Sequence, residues 1–362
     1  MAVLICARNE AGVIGNLLDS LEKQDYPKAL YRVFVVAHNC TDDTARVARE
    51  NGATVFVHDA PNERTKGHAL RAGTRALLRE YAGQFDAICV FDADNLASRT
   101  FLSRIVAALM GGADVAQGYR ASKNEHASWI SELFAAFWRV MLRCQNMPFY
   151  WLSLPCLVGG TGFILRADCL PKDGWHTWTL LEDVEFSLQQ ALAGRRVVPV
   201  PDALFFDEQP TDLKTAVLQR YRWSVGGMQC MKRYVPQLLR WLPKGGGVRA
   251  AKCVIDLMTN PALICAALGE LFKLAHLASV GANPWQTLLT DLLFAYLLCL
   301  PWGFLLYVRE RINPLRNLRC LMLFPLFVFL ALPLACMALF RPNTRWVPIL
   351  HDDPTTIDDL EP

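Results

Sequence analysis

The sequence predicts an α/β domain followed by a set of membrane helices. Short β-branched runs alternate with amphipathic helical patterns over about the first two hundred residues, which indicates a sheet covered by helices. Long apolar stretches begin only after Val248. Apolar residues make up 53% of the 362 residues and charged residues 20%, and this apolar excess lies almost wholly in the second part of the chain.

Six strands and five helices are predicted in the first part. The candidate strands are Val3–Ala7, Val33–Ala37, Thr54–Val57, Ala87–Phe91, Ala116–Tyr119 and Gly162–Leu165. The candidate helices are Val13–Lys23, Thr41–Asn51, Gly67–Tyr81, Thr100–Met110 and Leu181–Ala193. The first apolar run, at about six residues, is far shorter than a signal peptide requires, so we expect that this domain is not exported.

Three apolar stretches in the second part are each long enough to cross a bilayer, namely Ile255–Val280, Leu288–Val308 and Leu321–Phe340. The third carries no charge. The first carries several charges, and the sequence leaves open whether it is one span or an interfacial helix followed by a span. The connection Arg309–Arg319 contains four arginines, and the positive-inside bias therefore places it in the cytoplasm with the first domain. The side of the acidic tail stays open.

These patterns predict four regions. Residues 1–212 form a cytoplasmic catalytic domain, residues 213–248 an amphipathic interfacial region, residues 249–342 about three membrane helices, and residues 343–362 an acidic tail. The net charge of +3 and the lack of basic runs with interleaved aromatics argue against a nucleic-acid partner. The twelve cysteines form no C-x-x-C pair and are interpreted as reduced thiols.

Two carboxylates, Asp92 and Asp94, follow directly on the fourth predicted strand. Ligands of open α/β sheets bind beyond the carboxyl ends of the strands, where such a pair could hold a hard cation that bridges a diphosphate. The alternative is an ordinary turn, because Asp and Asn are common in turns. Together with the motifs that follow, the pair predicts a site for a divalent cation.

A second acidic pair, Glu182 and Asp183, begins the last predicted helix of the domain. Acidic side chains there also complement the positive end of the helix dipole, so a structural role is the alternative. In the functional interpretation, Asp183 is a general base that takes a proton from an attacking hydroxyl. Glu182 and Glu185 then orient the site or are solvated.

The segment Gln219–Trp223 lies on a helical pattern that starts at Leu213. Arg222 could clamp a diphosphate, and Trp223 offers a flat apolar face on which a sugar ring can stack. The alternative is an interfacial helix with snorkelling arginines and a tryptophan at headgroup depth.

Three weaker signals complete the candidates. Lys66 precedes a glycine at a helix start and could reach a phosphate, although a surface lysine is the commoner case. The loop Gly159–Gly162 lacks the spacing of known phosphate loops and is interpreted as lining a sugar site with Gly160 and Thr161. The amphipathic segment Trp129–Leu142 could face either the core or the bilayer surface.

In this order, the motifs resemble those of glycosyltransferase family 2, and more closely its membrane-embedded branch related to cellulose, chitin and hyaluronan synthases. The resemblance covers Ala2 to Trp223 and, more loosely, the membrane part. The motifs are Ala7-Arg8-Asn9-Glu10, Asn39-Cys40-Thr41-Asp42-Asp43-Thr44, Asp92-Ala93-Asp94, Leu181-Glu182-Asp183 and Gln219 through Trp223.

The resemblance implies the nucleotide-sugar-binding glycosyltransferase A fold and an inverting single displacement. Asp94 would ligate Mg²⁺ or Mn²⁺ with Asp92, Asp92 would also contact the nucleotide sugar, and Asp183 would be the base. Gln219, Arg222 and Trp223 would grip diphosphate and acceptor. The residues Ala7, Arg8, Asn9, Glu10 and Lys66 would line the nucleotide pocket.

Two positions depart from the family's pattern. His38 stands where relatives usually have an aspartate that contacts the nucleotide base, so the donor stays undefined. Leu181 stands where many relatives have threonine.

The sequence thus predicts a multi-pass cell-membrane glycosyltransferase. Its donor would be a nucleotide-diphosphate sugar, its acceptor a glycan or a lipid-linked molecule, and its helices would contact membrane lipid. It leaves open the sugar, the acceptor and whether one unit or many are added. A nucleotidyltransferase of sugar phosphates, or a silent membrane scaffold or transporter, are the alternatives.

Overall fold

The computed structural model describes residues 1–315, 317–342 and 351–361. Its strands are β1 (Ala2–Ala7), β2 (Arg32–His38), β3 (Thr54–His58), β4 (Ala87–Asp92), β5 (Leu96–Ala97), β6 (Val115–Ser122), β7 (Phe163–Arg166) and β8 (Val197–Asp207). The helices of the same part are α1 (Ile14–Glu22), α2 (Thr44–Glu50), α3 (Lys66–Glu80), α4 (Phe101–Met110), α5 (Trp129–Val140), α6 (Met147–Trp151), α7 (Glu182–Leu192) and α8 (Leu213–Trp241).

The eight strands form one mixed sheet in the order β3-β2-β1-β4-β7-β6-β8-β5. Strands β1 to β4 are parallel, β7 runs antiparallel to β4 and β6, and β8 is parallel to β6. The carboxyl ends of β1, β2, β4, β6 and β8 therefore meet at one edge of the sheet. Two apolar clusters cover the two faces, so the sheet lies between helical layers.

The fold prediction is confirmed, and all six predicted strands are present. The sequence interpretation missed β5, which has two residues, and β8, which has eleven. Strand β8 contains Pro199 and Pro201, residues that cannot donate to a ladder and that normally argue against a central strand. They fit because this half of β8 pairs with β6 on one side, while β5 joins the other side only at Phe205 and Phe206.

Five helices follow α8 before the last gap, namely α9 (Gly247–Leu257), α10 (Thr259–Ser279), α11 (Pro284–Arg309), α12 (Leu318–Phe329) and α13 (Ala331–Phe340). Three helical stretches among the described residues are long and apolar enough to cross a membrane: α10, α11 and the consecutive pair α12–α13. The third predicted stretch is broken at Leu330. Arg316, one of the four arginines counted in the connection, lies outside the described residues.

The acidic tail returns to the first domain. Its last helix, α14 (Ile357–Leu360), places Ile357 in the interior with no exposed surface. Asp358 forms ion pairs with Lys23 and Arg99, with the shorter distance 2.5 Å. Residues 343–350 and 362, which the sequence interpretation assigned to the same tail, lie outside the described residues. All twelve cysteines lie within the described residues, and none forms a disulfide.

Candidate active site

The polar residues that follow the strands line one pocket at the carboxyl edge of the sheet. The pocket has a volume of about 350 Å³. Its lining includes Ala7, Arg8 and Glu10 after β1, His38 at the end of β2, and Asp92 and Asp94 after β4. A tight turn positions Asp92 and Asp94, because the backbone N–H of Asn95 donates to the Asp92 carbonyl. The Asn95 side chain also donates to Asp207 at the end of β8, at 2.7 Å.

Lys66 joins the two acidic pairs of the pocket. Its Nζ lies 2.5 Å from Asp92 Oδ1 and 4.0 Å from Glu182 Oε1, and it donates to the Gly160 carbonyl at 2.8 Å. Burial alone would lower the pKa of Lys66, but the carboxylates of Asp92 and Glu182 raise it above the ordinary value. Lys66 is thus a charged residue of the pocket and not a surface lysine.

Glu182 and Asp183 occupy the first turn of α7 and face the same pocket. Gly160 has a φ of +85°, and a Cβ there would lie 3.2 Å from Asp183 Oδ2, so the loop approaches this carboxylate where only glycine fits without strain. Burial raises the pKa of both carboxyls. The neighbouring Asp183 adds to this effect on Glu182, whose pKa is raised to about 7.

Helix α8 contributes Gln219, Arg222 and Trp223 to the pocket lining. Gly226 lets α8 pack close to α7, because a Cβ at this position would lie 2.9 Å from the Leu181 backbone nitrogen. Burial lowers the pKa of Arg222, although the carboxylates of Glu182, Asp92 and Asp183 oppose that shift. The Arg222 guanidinium is thus close enough to interact with the carboxylates of both acidic pairs.

The residues around Asp94 suit a divalent cation. Burial, reinforced by the carboxylates of Asp207, Asp92 and Glu10, raises the pKa of Asp94 to about 7. A bound cation would relieve this crowding of negative charge. Within the described residues, no three His, Cys, Asp or Glu side chains already form a closed ligand cage. Asp94 and Asp92 could hold a cation whose remaining positions are filled by phosphate oxygens and water.

His351 is a pocket residue that sequence reasoning missed. Its Nδ1 lies 3.1 Å from Glu10 Oε1, and its Nε2 lies 3.9 Å from Asp94 Oδ2. The tail holds it there, because Glu208 accepts the backbone N–H groups of Asp352 and Asp353, each at 3.3 Å. The sequence carries no signal for this contact, since His351 follows the membrane helices by sequence.

Three residues discussed as site candidates do not line the pocket. Thr161 is fully buried; its hydroxyl accepts from the Asp92 backbone N–H at 2.9 Å and therefore supports the turn. The Asn9 side chain accepts from the Thr41 N–H at 2.7 Å and fixes the neighbouring loop. Glu185 is neither solvated nor aimed at the site: it is fully buried and accepts from the backbone N–H groups of Trp178 and Thr179.

Asp207, Glu208 and Arg120 also line the pocket and were absent from the sequence prediction. Asp207 and Glu208 end β8, so recognising that strand would have placed them among the strand-end residues. Arg120 lies on β6, with its guanidinium 3.8 Å from the centre of the Trp138 ring.

His38 is buried against a second imidazole in the pocket wall. Its ring stacks on His58 at 5.3 Å, and its Nδ1 has no hydrogen-bond partner among the described residues. Burial, followed by the nearby His58, lowers the pKa of His38 to about 4. The imidazole is therefore neutral at pH 7.

This shift predicts acid-sensitive stability. Between pH 6.5 and 4 the unfolded chain binds more protons at His38 than the folded chain, so stability is lost as pH falls. From pH 7 to pH 5 the loss attributable to His38 is about 2 kcal/mol. Thermal unfolding of the full chain should show a smaller difference in stability between pH 7 and pH 5 for His38→Gln than for wild type. The same substitution at His126, whose side chain is 78% exposed, should leave the difference unchanged. If His38→Gln loses as much stability as wild type between pH 7 and pH 5, the loss does not come from His38.

A family model described as glycosyltransferase like family 2 matches residues 1–226. A probable glycosyltransferase of Bacillus subtilis, YdaM, is 27% identical over 252 residues, covering 66% of this chain and 58% of the relative. A beta-monoglucosyldiacylglycerol synthase of Synechocystis is 25% identical over 247 residues, covering 67% and 50%. The chain thus spans little more than half the length of these relatives.

Among solved structures, the chain is similar to the mannosyltransferase PcManGT from Pyrobaculum calidifontis, which was solved in complex with GDP-Man and Mn²⁺. The TM-score is 0.58 at 20% identity, and the match covers 94% of this chain and 87% of the other. At this identity the likeness supports the fold and leaves the ligands of the present chain to be tested.

Proposed function

The chain belongs to the glycosyltransferase like family 2, and on that premise we propose that it transfers a sugar from a nucleotide-diphosphate donor to an acceptor hydroxyl at a membrane surface. One observation carries the proposal beyond the family. The strand-end pair Asp92 and Asp94 and the α7 pair Glu182 and Asp183 line one pocket, joined by Lys66.

Donor binding uses the cationic side of the pocket. Lys66 and Arg222 face the acidic pairs and would bind the diphosphate oxygens of the donor. The residues after β1, together with His38, would contact the nucleoside. A Mg²⁺ or Mn²⁺ ion held by Asp94 and Asp92 would offset the negative charge that develops on the departing diphosphate.

Transfer proceeds as a single displacement that inverts the anomeric centre. The acceptor oxygen attacks the anomeric carbon while the bond from that carbon to the diphosphate oxygen breaks. Asp183 takes the hydroxyl proton, and its raised pKa makes it a stronger base at neutral pH than an ordinary carboxylate. Glu182, beside it, keeps Lys66 oriented between the two acidic pairs.

Membrane attachment is supported by the three apolar helical stretches. The loop after α11 packs on the catalytic domain, since Glu310 forms a 2.5 Å ion pair with Arg143. The arginines of this loop support a cytoplasmic position for the loop and the catalytic domain. The relatives' names include a glycolipid synthase and glucomannan mannosyltransferases, which favours a lipid or glycan acceptor.

The test is the release of free nucleoside diphosphate from a panel of nucleotide sugars by the full chain in lipid nanodiscs. We expect release with at least one donor, and we expect it to require Mg²⁺ or Mn²⁺. Consumption of a sugar 1-phosphate and a nucleoside triphosphate, with pyrophosphate as the product, would instead identify a nucleotidyltransferase. A chain that turns over none of these substrates would be a scaffold or transporter.

We expect His351→Ala to weaken Mn²⁺ binding by about tenfold, because the imidazole lies 3.9 Å from Asp94 Oδ2 and would become a further ligand once the cation displaces its proton. Isothermal titration calorimetry with Mn²⁺ and nucleoside diphosphate measures this directly. Ile357→Asp should produce a similar loss, because Ile357 anchors the tail that carries the imidazole. His126→Ala is the matched control. Equal Mn²⁺ affinity in wild type and His351→Ala would show that this side chain does not support the cation site.

A further inference from the structure

We infer that the acceptor is a hydroxyl-bearing membrane lipid that reaches Asp183 sideways from the bilayer, and that only the hairpin α10–α11 crosses the membrane. The inference rests on the proposed function and specifies its acceptor. It excludes a glycan threaded through the membrane helices.

The pair α12–α13 lies along the catalytic domain. At its start, Arg319 forms an ion pair with Glu132 of α5 at 3.1 Å. Midway, Arg220 of α8 donates to the Phe327 carbonyl, and at the end Tyr221 of α8 donates to the Arg341 carbonyl. Both ends and the middle thus contact the side of the molecule that carries the pocket. If α12–α13 crossed the bilayer straight, its two ends would lie at opposite membrane surfaces and could not both contact the catalytic domain.

The surface of α12–α13 has two different faces. One face is buried and comprises Cys320, Leu321, Pro325, Phe327, Leu334, Ala335 and Ala338. The buried clusters of this face also contain Phe134 of α5, Val225 of α8 and Tyr307 of α11. The other exposes Leu318, Met322, Leu326, Met337, Leu339 and Phe340. A helix pair with one docked face and one exposed apolar face is suited to lie in the plane of the interface.

The hairpin α10–α11 does not enclose a polar path. None of the side chains of α10 is buried, and α11 buries only Leu306 and Tyr307, near its end at the catalytic domain. The charges of these helices pair with each other, since Lys273 contacts both Glu270 and Asp291. Two helices exposed along most of their length can span a bilayer, but they cannot surround a hydrated glycan. Because α10 and α11 cross the bilayer once each, the chain after α11 returns to the side of the catalytic domain, where the tail contacts it.

The catalytic pocket has an apolar end that reaches these interfacial helices. Phe137, Trp138 and Met141 line this end. Trp223 stacks on Phe137 at 5.6 Å and contacts Trp138 edge-on at 5.7 Å. The aromatic wall continues to Phe327 of α12, whose ring lies 6.3 Å from that of Phe137. The apolar end of the pocket therefore adjoins the helix pair that would lie in the interface, where a lipid acceptor would be held.

The acidic residues favour an alcohol over a phosphate as the acceptor. A lipid hydroxyl must lose its proton when its oxygen bonds to the anomeric carbon, and Asp183 is placed to accept it. The nucleoside diphosphate leaves with the electron pair of the broken bond, so the step balances with no further reactant. A phosphate monoester is mostly ionised at neutral pH and needs no base, and Glu182 and Asp183 would repel its charge.

The experiment uses the full chain in phosphatidylcholine vesicles with the donor that the nucleotide-sugar panel identifies. Separate vesicles add diacylglycerol, monoglucosyldiacylglycerol or polyprenyl phosphate, and a further reaction offers soluble oligosaccharides. We expect labelled sugar in the lipid extract with a hydroxyl-bearing lipid, and at least tenfold less with polyprenyl phosphate or oligosaccharide. Release of nucleoside diphosphate in the presence of Mn²⁺, scored separately, reports the proposed function itself.

Leu326→Glu tests the route, since it places a charge on the exposed apolar face of α12, at a side chain that does not line the catalytic pocket. We expect transfer to lipid to fall at least tenfold while donor hydrolysis by water stays within twofold. Met110→Glu, at a side chain that is 84% exposed and outside the pocket, is the control and should behave as wild type. Preserved hydrolysis shows that the variant is folded.

Several results would overturn the inference while leaving the proposed function intact. These are transfer to oligosaccharide or polyprenyl phosphate in preference to every hydroxyl-bearing lipid, equal lipid transfer by Leu326→Glu and wild type, or loss of hydrolysis and transfer together in Leu326→Glu. Absence of nucleoside diphosphate release with every donor would instead contradict the proposed function.

Discussion

Asp94→Asn is expected to reduce sugar transfer on the order of a thousandfold, which corresponds to about 4 kcal/mol of transition-state stabilisation. Asp94 is 6% exposed and surrounded by other carboxylates, so it would be a strong ligand for a cation. Asparagine keeps the shape of the side chain but removes the charge. The measurement is kcat/KM for nucleoside diphosphate release at saturating Mn²⁺.

The same substitution should not destabilise the protein when no metal is present. Removing one of several mutually repelling carboxylates relieves their repulsion, so the Tm of Asp94→Asn in EDTA should equal or exceed that of wild type. Wild type should gain Tm when Mn²⁺ and nucleoside diphosphate are added, and the variant should gain much less. Asp168→Asn, at an exposed carboxylate, is the control for both readouts. A variant that keeps its activity and its Mn²⁺-dependent gain would refute the assigned role of Asp94.

Asp183→Asn is expected to lower kcat for transfer by about a thousandfold, in the range that general-base catalysis contributes. The amide cannot accept the proton of the acceptor hydroxyl. Donor and Mn²⁺ affinities should change little, because Asp94, Lys66 and Arg222 remain. Single-turnover measurement of transfer, with calorimetry for the donor, separates the two effects.

The pH dependence provides a second criterion for Asp183. The wild-type rate should fall as pH drops below the raised pKa of the acidic pair, since the base is then protonated. The residual rate of Asp183→Asn should lack that acidic limb. Asp168→Asn again serves as the control. Transfer that survives in Asp183→Asn, with the acidic limb unchanged, would exclude this residue as the base.

Much of the site could be predicted because it follows strand ends. Asp92, Asp94 and His38 each come directly after an apolar run, and parallel strands bring their carboxyl ends to one edge. Asp207 also ends a strand of this sheet. It was missed because Pro199 and Pro201 argue against a strand, so β8 was not predicted. The prolines are tolerated where β8 has a partner on one side only, a fact of the sheet order that local sequence does not contain.

Other contacts depend on distant parts of the chain. His351 reaches Glu10 across more than three hundred residues, and no periodicity or spacing specifies that return. Thr161 resembles a ligand-contacting residue of a glycine-rich loop, yet its hydroxyl supports the turn at Asp92. The apolar stretch before the tail has the composition of a span, whereas its docking on α8 depends on Arg220, Tyr221 and the break at Leu330.

A structure of the full chain with Mn²⁺ and nucleoside diphosphate would show whether the two acidic pairs serve one reaction centre. We predict that the cation lies between Asp94 and the diphosphate, with the Asp183 carboxylate within the length of one sugar ring of the terminal phosphate. A cation bound away from Asp94, or an Asp183 carboxylate turned out of the pocket, would contradict the mechanism.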